Sequence, residues 1–190
     1  ALDGMVLNPG PSQSYILGVH FYLFERPIVL LVAPEKHPAL ILPALEVTKA
    51  QSAPDPLELF PYQDNPATWP DAFQKACRYL GWDQKPGLNI GVELDRLRLL
   101  EARYIEAALP QARLVDKNPV MHMRMHKDED EIARIRKAIS IAETGLSAAI
   151  PLMKIGMTEL ELSAEIGFQT ERAGSEIPGR PMVAAGPNGA

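Results

Sequence analysis

The chain has 190 residues, of which 46% are hydrophobic and 23% charged, and a formal net charge of −5; this is globular composition with material for a core, and it excludes a chain that is mainly disordered. Its 18 prolines, about twice the usual share of ~5%, punctuate it too often for a coiled coil or a helical repeat. A single cysteine excludes an intramolecular disulfide, no apolar run nears the ~20 residues that cross a bilayer, and the acidic balance carries no footprint for nucleic acid, so the expectation is a soluble, cytoplasmic α/β protein with no nucleic-acid or membrane partner.

In chain order, Met5-Val-Leu reads as a buried strand and Tyr15 to Gly18 as a short turn of helix. Pro27 to Ala33 is a near-continuous apolar run, the pattern of a strand covered on both faces. Glu35 to Pro38 is a turn, and Ala39 to Leu42 the antiparallel return strand of a hairpin. Leu45 to Ala50 reads as a short helix and Leu57 to Phe60 as a strand. Thr68 to Leu80 carries Trp69, Phe73, Ala76, Cys77 and Leu80 at helical spacing and stops at Gly81. Leu88 to Leu94 is a strand and Arg96 to Leu109 a helix, with Leu97, Leu100, Tyr104, Ala107 and Ala108 as its expected inner face. Ala112 to Val115 is a further strand, which completes a mixed sheet flanked by helices over 1–121.

The composition changes near Met121. Asp128 and Glu131 form a capping box for a long helix whose stripe is Ile132, Ile135, Ile139, Ala142, Leu146, Ala149 and Met153, ended by Gly156. Thr158 and Glu161 form a second box, for a helix reaching about Ala173. Met182 to Ala185 reads as a short strand before the turn at Gly186-Pro-Asn-Gly. Residues 122–190 are therefore two helices and one strand, the start of a second, α+β domain. With no initiator methionine and a turn at its end, the chain is expected to be a segment of a longer protein.

Most candidate chemistry has a plainer structural reading. His122 and His126 share helical spacing but have no carboxylate between them, so a partly exposed linker is favoured over a metal pair. The acids at 128–131 suit a helix N-terminus rather than a hard cation. Cys77 sits on an apolar stripe with no histidine nearby, as a packed thiol does. The glycines at 186–189 lack a following Lys-Ser/Thr, so they do not make a phosphate loop. The segment Tyr15 to Arg26 is different. His20, Phe21, Tyr22, Phe24 and Arg26 gather rings and charge in a few residues, which fits either a packed sheet edge or a loop shown to a ligand or second subunit.

Arg124-Met-His-Lys-Asp-Glu-Asp-Glu-Ile132, Ile155-Gly-Met-Thr-Glu-Leu-Glu-Leu162 and Val183-Ala-Ala-Gly-Pro-Asn-Gly-Ala190 resemble the creatinase, prolidase and aminopeptidase P family, at the junction of its N-terminal domain with its pita-bread catalytic domain. Asn8 followed by Tyr15-Ile-Leu-Gly18 resembles the family's early Asn…Tyr-Leu-Thr-Gly stretch, with Leu17 where threonine is usual. The resemblance implies an N-terminal-like domain over 1–121 and a truncated catalytic domain over 122–190. It also implies a homodimer and, in the longer protein, a divalent metal pair (such as manganese, cobalt or zinc) that cleaves short peptides before proline. The two Asp, two His and two Glu of that chemistry would lie past Ala190, so no catalytic residue and no metal ligand is carried onto this chain, which is expected to be inactive alone. In relatives a loop of the N-terminal domain reaches the neighbouring subunit's active site, which places a substrate-access rim at His20, Phe21, Tyr22 and Arg26. Two other readings stay open: the same region of a metal-free, creatinase-type amidinohydrolase, and a non-catalytic binding and dimerisation module.

Overall fold

The computed structural model describes residues 1–176, 179 and 181–189. They form two compact units, Ala1–His126 and Lys127–Ala190.

The first unit is built on a six-stranded sheet: β1 (Gly4–Leu7), β2 (Val29–Val32), β3 (Ala39–Pro43), β4 (Glu58–Tyr62), β5 (Asn89–Val92) and β6 (Arg113–Asp116), in the order β4-β3-β2-β1-β5-β6. Only β2 runs against its neighbours, pairing Leu7 with Leu30 and Leu30 with Leu40; the other contacts, such as Val6 with Val92 and Ile90 with Leu114, are parallel. The strand alternation is clean. Val6, Val29, Leu31, Ile41, Ile90 and Val92 meet α3 (Trp69–Tyr79) and α4 (Leu99–Ala108) on one face. Met5, Leu7, Leu30, Leu40 and Leu42 meet α1 (Pro11–Leu17), α2 (Val47–Ala50) and α5 (Pro119–Met125) on the other. Both faces are covered, which is why these strands read as apolar runs. Cys77 is 1% exposed in that core; burial, with Asp83 nearby, pushes its thiol up to about 12, so it stays protonated at neutral pH.

Two expected features differ. Of the expected inner face of α4, Leu97, Tyr104 and Ala108 pack against the core, but its centre is Glu101 and Ile105, both fully buried, while Leu100 and Ala107 are exposed. The apolar stripe was displaced because one inward position is a carboxylate, neutralised by Arg98. Residues 119–125 are also helix rather than linker: Pro119 starts α5 and the Asn118 side chain accepts from the Met121 N–H at 3.2 Å. The first unit accordingly extends past Met121 to His126.

In the second unit, α6 (Glu129–Ala149) and α7 (Glu159–Arg172) each begin with the expected capping box. At α7 the Thr158 backbone N–H and hydroxyl both donate to Glu161, which holds that carboxylate below its usual range. The two helices meet through small residues: a Cβ on Gly145 would stand 2.6 Å from the Thr170 Cα. Ile132, Ile135, Ile139 and Leu146, the expected stripe of α6, remain 37–51% exposed. Met182–Ala185 forms no strand. A strand needs a neighbour to take its backbone hydrogen bonds, and among the described residues every strand of the sheet lies in the first unit. Instead the Glu159 carboxylate accepts from the Ala185 N–H (2.6 Å) and the Asn188 side chain (2.9 Å), holding a 3₁₀ turn at Gly186–Gly189; Ala190 lies outside the described residues.

Candidate functional site

The chain leaves α1 through Gly18, whose φ of +66° lets it turn where other residues would strain, and whose N–H closes on the Ser14 carbonyl at 2.9 Å. Residues 19–28 then run without regular structure to β2. Because β2 begins opposite the end of β1, this segment lies along the carboxyl edge of the parallel strands, where open α/β sheets present their ligand sites.

Its side chains divide into anchors and display. Phe21 is 2% exposed and packs into the core with Leu17, Ile28 and Leu40. The ring is therefore buried rather than displayed: an aromatic ring at the foot of a loop gains more by filling the core than by facing water. Tyr22 (55% exposed) and Phe24 (63% exposed) are displayed instead, their ring centroids 5.8 Å apart. His20 meets Tyr22 edge-on at 4.7 Å, and its Nδ1 lies 3.0 Å from the Ser14 hydroxyl. The Lys49 ammonium stands over the Phe21 and Tyr22 rings at 5.0 and 5.7 Å.

The far end of the loop is held by residues distant in sequence. Arg98 Nη1 donates to the Phe24 carbonyl at 2.5 Å across 74 residues. The Tyr62 hydroxyl donates to the Pro27 carbonyl at 2.7 Å, and burial keeps that hydroxyl well above its ordinary pKa. Arg26 Nη2 pairs with Asp64 Oδ1 at 3.1 Å, where Asp64 is 75% exposed. The other fork of Arg98 grips Glu101, with Nε 2.9 and 3.1 Å from the two carboxylate oxygens. Of the four residues read from the sequence as a rim, His20 and Tyr22 are exposed, Arg26 is half-buried and Phe21 is buried at the foot of the same loop. Phe24 is exposed beside Tyr22, and the loop's holders Arg98, Tyr62 and Asp64 were missed. Local sequence held one signal for them: an acid at the centre of a helix face, three residues after an arginine.

Residues 1–126 match the Creatinase/Prolidase N-terminal domain. The chain belongs to the creatinase/prolidase N-terminal domain family. It is 36% identical to the creatinase of Bacillus sp. (strain B-0618) over 178 residues, covering 85% of this chain and 39% of that protein. It is 23% identical to the Xaa-Pro dipeptidase of Lactobacillus helveticus over 158 residues, covering 82% of this chain and 42% of that protein. The crystal structure of a prolidase from Thermococcus sibiricus superposes with a TM-score of 0.79 at 24% identity, over 99% of this chain and 50% of that one, and shows the shared fold. The chain spans about half the length of the curated relatives it matches.

A second polar cluster of this creatinase/prolidase domain lies where β1 and β5 adjoin. Ser12 Oγ and Asn118 Nδ2 both donate to Glu93 Oε1, at 2.7 and 2.6 Å, beside an open cleft of about 800 Å³ lined in part by Leu94, Arg96, Lys117 and Met121. Here the chain, having built β2–β4 on one side of β1, returns to add β5 and β6 on the other, the topological switch point of the sheet. The network ties α1, the end of β5 and the cap of α5 together. His122 and His126 do not form a metal pair with a third ligand: the His126 ring lies 3.2 Å from the His122 carbonyl. Among the described residues no group of three or more His, Cys, Asp or Glu could hold a metal ion, and no helix is long and apolar enough to cross a membrane. The described residues supply no ligand set for the metal pair that the resemblance implies.

Proposed function

We propose that this chain is the N-terminal, substrate-access region of a peptidase that cleaves short peptides before proline, and that the loop from His20 to Arg26 forms a rim facing the pocket of a second copy of the same protein. The observation that carries the reading is the loop itself: Tyr22 and Phe24 are displayed beside the half-buried Arg26 on a segment fixed at both ends. Exposed aromatic rings beside an arginine have the composition of a contact hot spot. The likeness to a relative named Xaa-Pro dipeptidase supports that substrate class. A bond before proline is a tertiary amide with restricted φ and no N–H, so a recognition site for such a peptide must rely on its termini and apolar ring.

In this reading the rings form the apolar wall, and Arg26 exchanges its exposed partner Asp64 for the peptide's C-terminal carboxylate. The exchange is cheap, because a pair this exposed contributes little. Bond cleavage belongs to the remainder of the longer protein, and this chain supplies binding and access. The test is steady-state kinetics of that longer protein on an Xaa-Pro dipeptide. Arg26→Ala is expected to raise KM roughly tenfold or more, the loss of one charge-assisted contact, with kcat little changed. A C-terminally amidated dipeptide should show no such effect. Unchanged kinetics on the free dipeptide would contradict the assignment. The amidinohydrolase reading is favoured by the 36% identity to a creatinase, and hydrolysis of creatine in place of the dipeptide would select it.

A further inference from the structure

We infer that Arg98 is a positioning residue for the displayed loop, acting through the Phe24 main chain and held in place by the buried Glu101; the inference rests on the rim reading above for its functional meaning. The geometry is directional. Nε and Nη2 of Arg98 face the Glu101 carboxylate, which has no exposed surface, and this leaves Nη1 to reach the Phe24 carbonyl. Only a planar fork with several fixed donors can serve both acceptors at once; a lysine ammonium is a single point of charge.

A buried carboxylate is a poor stabiliser, since the desolvation of the ions offsets most of their attraction. An apolar residue at 101 would pack as well among Ile105 and its neighbours. What the ion pair adds is a fixed direction for the free arm of Arg98. That arm ends on the carbonyl that stands between the displayed rings and Arg26. Arg98 itself is the N-cap residue of α4, with extended backbone, so the clamp is rooted in the helix that covers the sheet. The Tyr62 hydroxyl on Pro27 holds the loop's exit, and Phe21 its entry. Without Arg98, no side chain seen to donate to the backbone of Tyr22 to Arg26 remains among the described residues.

The test is backbone order by NMR relaxation on the 190-residue chain. In the unaltered chain, the amides of Tyr22 to Arg26 should show order parameters near the ~0.85 of rigid backbone. Two variants release the clamp while keeping the fold: Arg98→Lys, which retains a positive charge beside Glu101, and Arg98→Met with Glu101→Leu, which removes the charge pair together. Both are expected to drop the loop amides below about 0.6, with the amides of β2 and β3 unchanged. In the longer protein the same variants should raise KM for a dipeptide and spare kcat. A loop that is already mobile in the unaltered chain, or that stays rigid in the double variant, would overturn the inference. The two readings separate cleanly. Loosening of the loop with no effect of Arg26→Ala on KM would sink the rim and leave the clamp standing. A KM effect of Arg26→Ala with a rigid loop in the double variant would sink the clamp and leave the rim.

Discussion

Arg98→Met alone is expected to lower the unfolding free energy by about 3 kcal/mol, the lower end of the ~3–5 kcal/mol that follows when one partner of a buried ion pair is removed. Glu101 is the reason. Its side chain is 0% exposed, and both of its oxygens accept from Arg98. With methionine at 98 the carboxylate stays in the α4 core with no cation, and it must draw in water to be solvated. The lower end applies because Arg98 is 30% exposed, which leaves a path for water to the site. Adding Glu101→Leu should recover most of the loss, since a packed apolar pair often equals the ion pair it replaces. Urea denaturation of the single and double variants measures both. A single variant as stable as the unaltered chain would show that the carboxylate is solvated.

The second large effect is expected at Phe21→Ala, which should cost about 3–5 kcal/mol, the range for a buried phenylalanine truncated in a core that cannot collapse around it. Phe21 is packed by Leu17, Ile28 and Leu40, on an otherwise fully covered sheet face, and the Lys49 ammonium over its ring is lost with it. Tyr22→Ala and Phe24→Ala, on the same loop, should change stability by no more than ~0.5 kcal/mol, as exposed positions usually do. The contrast carries the argument, because three aromatic residues within four positions look alike in sequence. Thermal or denaturant unfolding of the three variants should separate one pin from two displayed rings. Equal losses at all three would mean that the loop packs as a unit.

The strands were readable because the sheet is covered on both sides, so that Val29–Val32 and Ala39–Pro43 announce themselves as apolar runs. The capping boxes at Asp128 and Thr158 were readable because capping is local: donor and acceptor lie three residues apart. Where information had to come from afar, the reading slipped. The face of α4 was placed in part, with Leu97, Tyr104 and Ala108 against the core, and its centre was missed because Glu101 is buried only by virtue of Arg98. Met182–Ala185 has strand-like composition but no ladder partner among the described residues. In the loop, residue types singled out Tyr15 to Arg26 but not which side chain points inward. Phe21 and Phe24 are chemically identical, and only the packing of Leu17 and Ile28, against the reach of Arg98 from 74 residues away, tells them apart. The exposed stripe of α6 was visible in sequence as a surface, since periodicity reports an apolar face without reporting what covers it.

Site-specific photocrosslinking decides whether the loop faces a second copy of the protein. A photoreactive phenylalanine analogue at position 24 of the longer protein, irradiated at low micromolar concentration, should yield a covalent dimer whose crosslink maps to the partner's catalytic half. Loss of the crosslink in the presence of an excess of Xaa-Pro dipeptide would place it at the mouth of the pocket. Crosslinks confined to the same copy, or none at all, would contradict the account and leave the displayed rings of Tyr22 and Phe24 without the role assigned to them.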